Sequence, residues 1–178
     1  MSRLTFKYRL YPNRQQHERL QATLELCREL YNAGLQESRD AWSSHRQGIG
    51  YRAQANQLRD IKTVSDDLAA VHSQVLQDVL RRLDKTFQSF FLRVKRGQKA
   101  GFPRFRSNGR YDSFTYPQAG FRLNGRLSLA KMGDIKIKLH RPVKGQIKPL
   151  TAPMPASVAW WTLLPSGRGV RHLPYTFL

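Results

Sequence analysis

The spacing of apolar residues changes period twice along this chain, which restricts it to a fold combining a sheet with a helical insertion. Residues 3–11 alternate: Leu4, Phe6, Tyr8 and Leu10 fall on one side, and Arg3, Thr5, Lys7 and Arg9 on the other. Period two of this kind predicts a half-buried strand with a basic outer face. Beyond Pro12 the period becomes helical. Asn13 is placed as an N-cap, with Gln16 three residues on completing a capping box. Leu20, Leu24, Cys27, Tyr31 and Leu35 then recur at helical steps toward Trp42, which is expected to cap the core of a helical bundle. Residues 43–50 predict a loop and residues 51–62 a short helix, with Tyr51, Ala55, Leu58 and Ile61 on one side. Ser65 is placed as the cap of a long third helix. Its stripe runs Leu68, Val71, Val75, Val79, Leu83, Phe87, Phe90 and Val94, and Gly97 ends it at C′. Three helices with such stripes form a small bundle.

After Gly97 period two returns. Strands are expected at 114–116, 121–123 and 126–129, the last two flanking the hairpin signal Asn124-Gly125. Residues 135–140 alternate with Lys136 and Lys138 outward, and 146–151 form one more strand candidate. From Ala152 the chain holds Pro153, Pro155, Pro165 and Pro174, the pair Trp160-Trp161 and no clean period. An irregular tail over 152–178 is therefore expected, packing poorly or derived from an out-of-frame stretch. The fold class is α+β.

Charge is distributed as unevenly as period. From Lys85 onward there are 18 Lys and Arg against two acids, Asp112 and Asp134, whereas residues 1–84 carry 13 basic and 10 acidic side chains. Such a surplus is the electrostatic footprint of a polyanion-binding surface. Aromatic residues interleaved with the cations favour nucleic acid over a membrane or an acidic protein, the plain alternative being a soluble basic domain. Cys27 is the one cysteine, so no disulfide within the chain and no cysteine-based zinc site can form. Set among Leu24, Leu26 and Leu30, it is expected in the core, and the compartment is expected to be the reducing cytosol. There is no apolar run of membrane-spanning length and no signal-peptide core. His17, His45, His72, His140 and His172 lack metal-ligand spacing, and Asp112 and Asp134 are placed as loop and turn carboxylates. No cofactor is expected.

Five pieces in one order carry a family resemblance: Tyr8-Arg9-Leu10-Tyr11-Pro12-Asn13, Leu30-Tyr31-Asn32, the stretch from Val75 to Phe87, Phe90-Phe91, and Gly101-Phe102-Pro103-Arg104-Phe105. Over roughly residues 3–150 the chain resembles the N-terminal part of the OrfB/TnpB proteins of insertion sequences, RNA-guided nucleases similar to type V CRISPR effectors. The resemblance implies a layout. Residues 1–12 would be the first strand of a basic, β-barrel-like wedge domain completed by residues 98–151. Residues 13–97 would be an inserted recognition lobe, whose initial helical segment is described in the family as a helix-turn-helix. Wedge and lobe would hold a guide RNA and inspect a short motif beside the target DNA. The family's nuclease domain needs three carboxylates around two divalent metals, and no acid follows Asp134. A truncated member lacking that domain is therefore expected, with no DNA cleavage by this chain alone.

Matched by position to the family, Tyr51, Ser73, Gln74 and Gln77 would face the target-adjacent duplex, where a glutamine can pair bidentately with adenine. An ordinary solvated helix face is the alternative. Ser113, Phe114 and Thr115 hold a comparable position. Arg9, Arg104, Arg106, Arg110, Lys136, Lys138 and Arg141 are candidates for phosphate contacts on RNA or DNA. Alternation assigns Phe102 and Phe105 to the core, the alternative being base stacking. The expected function is nucleic-acid binding by a remnant of a transposase-family protein. The alternatives are a nuclease-less RNA-guided repressor, an active nuclease whose missing domain comes from another polypeptide, and a decayed reading frame.

Overall fold

A computed structural model describes residues 6–139, 147–153 and 160–165. The chain runs β1 (Phe6–Tyr11), α1 (Arg14–His45), α2 (Tyr51–Val64), α3 (Asp66–Ala70), α4 (Ser73–Lys95), β2 (Ser113–Tyr116), β3 (Phe121–Asn124), β4 (Arg126–Leu129), β5 (Gly133–Lys138), β6 (Ile147–Pro153) and β7 (Trp160–Pro165). It is an α+β fold. The strands form one antiparallel sheet of order β2-β6-β7-β1-β5-β4-β3. That sheet is open, with β2 and β3 at its edges among the described residues, rather than closed into a barrel.

The first strand pairs with β5 on one side and β7 on the other, so the helices are an insertion between one strand and the rest of its own sheet. Alternation places Tyr8 and Leu10 in the core and leaves Arg9 exposed. The capping box is present: Gln16 N–H donates to Asn13 Oδ1 (2.8 Å) and Asn13 N–H to Gln16 Oε1 (3.0 Å). Gln16 Nε2 also donates to the Asp134 carbonyl at 2.9 Å, tying the start of α1 to β5.

The helical lobe holds four helices where three are expected. The long stripe from Ser65 is interrupted at Val71 and His72, whose backbones are extended. Ser65 caps only the short α3. Periodicity could not reveal the break, because Val71 stays buried and the apolar stripe continues through it. Tertiary contacts hold it open. Lys62 Nζ donates to the freed Val71 carbonyl and to Ser73 Oγ, both at 2.9 Å. The His72 ring packs on Tyr116 with centroids 5.5 Å apart. Gly120, at φ +89°, approaches that ring so closely that a Cβ there would lie 2.9 Å from it.

α1 and α4 cross at Gly34, where a Cβ would meet Leu83 at 3.0 Å and Leu80 at 3.3 Å. Leu20, Leu35, Leu76, Leu80 and Leu83 fill the interior between the helices, and Tyr8, Phe114, Tyr116, Leu127, Ile135 and Leu150 continue it under the sheet. Cys27 lies in this core as expected, and burial pushes its thiol up to about 12, which leaves it protonated and unreactive. Arg82 joins lobe to sheet: it pairs with Asp78 at 2.9 Å and donates to Ser113 O and Thr115 Oγ1, each at 2.6 Å.

The tail departs from expectation. Instead of irregular chain from Ala152, β6 extends to Pro153 and residues 160–165 form β7, paired with both β1 and β6. A strand in the middle of a sheet is demanded by the unpaired backbone groups of its two neighbours, so its own sequence need not alternate. The remainder of the tail, 154–159 and 166–178, and Arg141 lie outside the described residues.

Candidate nucleic-acid interface

Beyond the C-cap Arg96 of α4, Gly97 adopts φ +65°. Gln98 N–H reaches back to Arg93 O and Gly97 N–H to Val94 O, both at 3.0 Å. These two bonds are a Schellman motif, for which glycine is the unstrained residue. From there to β2 the chain forms a strap without helix or strand, fixed at successive points to α1 and α4. The Phe102 ring meets Phe87 at 5.7 Å and Phe90 at 5.4 Å. Pro103 is buried. The Arg39 guanidinium lies over the Phe105 ring at 5.3 Å. Asn32 grips the Arg106 backbone from both sides, donating from Nδ2 to the carbonyl (2.9 Å) and accepting its N–H at Oδ1 (2.8 Å). Arg28 adds a contact of 3.4 Å to the same carbonyl. The Arg106 guanidinium sits over Tyr31 at 5.7 Å, and Tyr31 packs on buried Tyr111 at 6.0 Å.

Two sequence motifs thus meet: Leu30-Tyr31-Asn32 is the seat of the Gly101–Arg106 string. The result is an ordered strap with Arg104, Arg106 and Arg110 exposed. Between Lys85 and Tyr111 there are eight Lys and Arg and no acid. Phe102 and Phe105 do not enter the core as alternation predicts; they stay 46% and 44% exposed. The strap lies on the helices instead of pairing as a strand, so alternate side chains have no buried face to enter.

A second basic surface is the outer face of the sheet. Arg9 stands opposite Lys138, and Lys136 lies opposite both Tyr11 and Arg126. Arg122 continues the face on β3, and these side chains are exposed while Leu10, Leu127, Ile135 and Ile137 point inward. Like charges directly opposite each other on paired strands are destabilising, so the face gains when a polyanion neutralises it.

On the lobe, Ser73 is exposed and Gln74 and Gln77 are partly exposed along the first turns of α4. Gln74 Oε1 accepts the Ala119 N–H at 3.0 Å, so its carbonyl is occupied. Tyr51 is partly buried beneath the Arg81 guanidinium, 5.3 Å from its ring. Burial lowers the Lys62 pKa, helped by the Lys131 ammonium. Burial, then Lys62 and Lys131, lowers that of His72. Lys62 thus brings a cation to the start of α4, where its Nζ donates to Ser73 Oγ at 2.9 Å.

Ser113, Phe114 and Thr115 stand differently. Phe114 is fully buried, and Thr115 is 7% exposed and bonded to Arg82 and Thr151. Ser113 is partly buried, with its carbonyl taken by Arg82. β2 lies against α4, so these residues build the joint between lobe and sheet and do not form a contact surface. Sequence reasoning missed Asn32, Arg28, Arg122 and Arg126. The Leu-Tyr-Asn motif marked the first of these, but its partner lies 74 residues away.

Among the described residues no three His, Cys, Asp or Glu side chains assemble as metal donors. Asp134 accepts a hydrogen bond from Ser128 Oγ in the β4–β5 hairpin. These residues do not fit a two-metal nuclease centre. Among them, too, no helix is long and apolar enough to cross a membrane.

The α+β scaffold thus presents two basic surfaces suited to a polyanion, the strap on the helices and the outer face of the sheet. Residues 1–47 match the model of a helix-turn-helix domain, that of the OrfB proteins of IS605. The described part of this stretch, residues 6–47, is β1, α1 and the first residues after it, and α2 follows. The chain is 32% identical over 157 residues to InsQ of Escherichia coli (strain K12), named as an RNA-guided DNA endonuclease, with 85% of this chain and 38% of that protein covered. A protein of Streptomyces pristinaespiralis named in the same way is 30% identical over 151 residues, covering 82% of this chain and 36% of the relative. The chain belongs to the OrfB/TnpB transposase family, and its first 47 residues match that family's helix-turn-helix domain model. It spans well under half the length of these relatives.

Proposed function

We propose that this chain is the nucleic-acid-holding portion of an RNA-guided DNA-binding protein. It would grip a guide-type RNA and a DNA duplex through phosphate contacts and supply no cleavage chemistry of its own. The observation that carries the proposal is the acid-free run from Lys85 to Tyr111, whose part beyond α4 is held as an ordered strap by Asn32, Arg39 and the α4 phenylalanines. A strap fixed before binding loses little conformational entropy on binding. Arg104, Arg106 and Arg110 would contact one strand's phosphates. Arg9, Lys136 and Lys138, joined by Arg122 and Arg126, would contact another stretch of backbone. Residues 98–151 with the first strand would act as the wedge, and residues 13–97 as the lobe. Ser73, Gln74 and Gln77 would meet the duplex beside the target, because α4 presents them next to the Lys62 ammonium. A nuclease domain of the kind in the relatives' names would be a further partner, and the cytosol of a bacterium or archaeon the compartment.

The test is to purify the chain at high salt, sequence any nucleic acid stripped from it, and titrate binding against salt. A discrete small RNA and a steep fall of affinity with salt are expected, because each neutralised phosphate releases counterions. A slope near zero would sink the proposal.

A further inference from the structure

We propose that the phenylalanine cluster at the C-terminal end of α4 is a stacking platform for unpaired bases of a single-stranded polynucleotide. This rests on the nucleic-acid-binding proposal above and adds to it a second, base-contacting site. Phe87, Phe91, Phe90 and Phe102 form a closed circuit of rings. Centroids are 6.3 Å apart for Phe87–Phe91, 5.2 Å for Phe90–Phe91, 5.4 Å for Phe90–Phe102 and 5.7 Å for Phe87–Phe102. Each ring is held by two others, so its orientation is set before any ligand arrives. Yet Phe91 is 60% and Phe102 46% exposed. Rings this open, one on α4 and one on the strap packed against it, form a surface that water solvates poorly.

Charge identifies the occupant. Lys85, Arg93, Lys95, Arg96, Lys99 and Arg104 are exposed on α4 and the strap around the rings, and among the described residues none of them is paired with a carboxylate. An apolar protein partner would have to bury or neutralise these cations. A polynucleotide strand satisfies both features at once, its phosphates meeting the cations while its bases cover the rings. A duplex fits less well, because its base faces are already stacked on each other. Phe91 and Phe102 would be stacking residues that contact base but not phosphate.

The test measures binding of the full chain and of Phe91→Ala, Phe91→Leu and Phe91→Trp by fluorescence anisotropy. The probes are a labelled oligouridine strand, an abasic strand of equal length and a DNA duplex. Phe91→Ala is expected to weaken oligouridine binding roughly 5- to 100-fold. Phe91→Leu, which keeps apolar bulk and fold, should lose most of the same affinity, and Phe91→Trp should retain it. Wild type should bind the abasic strand no more tightly than Phe91→Ala binds oligouridine. Duplex affinity and its salt slope should not change. An unaltered oligouridine affinity in Phe91→Ala, an equal loss on the duplex, or a self-association abolished by Phe91→Ala in sedimentation would each overturn the platform. If wild type binds no probe in a salt-dependent way, the broader nucleic-acid proposal fails with it. Salt-dependent duplex binding without a base-dependent strand arm defeats the platform alone.

Discussion

Replacing Asn32 with alanine removes the two hydrogen bonds, 2.9 Å and 2.8 Å long, that clamp the Arg106 backbone to α1. Each such bond contributes about 0.5–1.5 kcal/mol net, and the solvent exposure of this pair puts the two together at about 1–2 kcal/mol. The remaining Arg28 contact is longer, at 3.4 Å, and cannot replace a two-sided grip. The core beneath the strap is untouched, since Leu80, Leu83 and Leu35 make none of these bonds. The expected result is a strap that samples open positions while the helices stay folded. Arg104, Arg106 and Arg110 would then meet phosphate less often. Each duplex phosphate contact adds about 0.9 to the slope of log affinity against log salt, so that slope should fall by up to about 3. Anisotropy over a series of salt concentrations reads the slope, and thermal melting by circular dichroism reads the fold. Asn32→Asp keeps the acceptor for the Arg106 N–H but loses the donor, and should fall between wild type and alanine. An unchanged slope and affinity in Asn32→Ala would refute the idea that the clamp positions these arginines. A melting transition lowered as far as that of a core variant would show instead that Asn32 serves the fold.

Phe114→Ala should destabilise the protein by about 3–5 kcal/mol, as for a large ring lost from a filled core, and leave the DNA affinity of the folded fraction unchanged; urea titration with binding on the same samples checks both. The double variant Arg126→Ala, Lys136→Ala should lower the duplex salt slope by about 2 without loss of stability, because it also removes a like-charge pair directly across β4 and β5. His72 gives a pH dependence. Burial, Lys62 and Lys131 depress its pKa below the ordinary 6.5, so on acidification through that value the unfolded chain takes up a proton that the native state refuses. Its contribution to stability is therefore full above 6.5 and declines as pH falls. His72→Gln should flatten this part of the stability profile in pH-dependent denaturation, and an unchanged acid limb would contradict the assignment.

Much of the scaffold follows from local pattern. The strand of Tyr8 and Leu10, the cap at Asn13, the stripe through Val75 and Val79, the stop at Gly97 and the hairpin at Gly125 are each specified by residues within a few positions of one another. Short-range sterics and hydrogen bonding are enough to settle them. The break at Val71–His72 was not legible, because the residues that hold it, Lys62, Tyr116 and Gly120, lie outside the α4 stripe. Nor was β7, whose place is set by the unpaired backbones of β1 and β6.

The interface divides along the same line. Composition alone determined that the second half of the chain is a polycation, and so the class of partner it suits. Alternation determined that Arg9, Lys136 and Lys138 face outward. Only the tertiary structure decided that Phe114 and Thr115 are interior, that Phe102 stays at the surface, and that Asn32 holds Arg106. The physical reason is distance along the chain. A sequence pattern records which side of its own element a residue occupies, whereas what covers that side depends on elements brought together from far away.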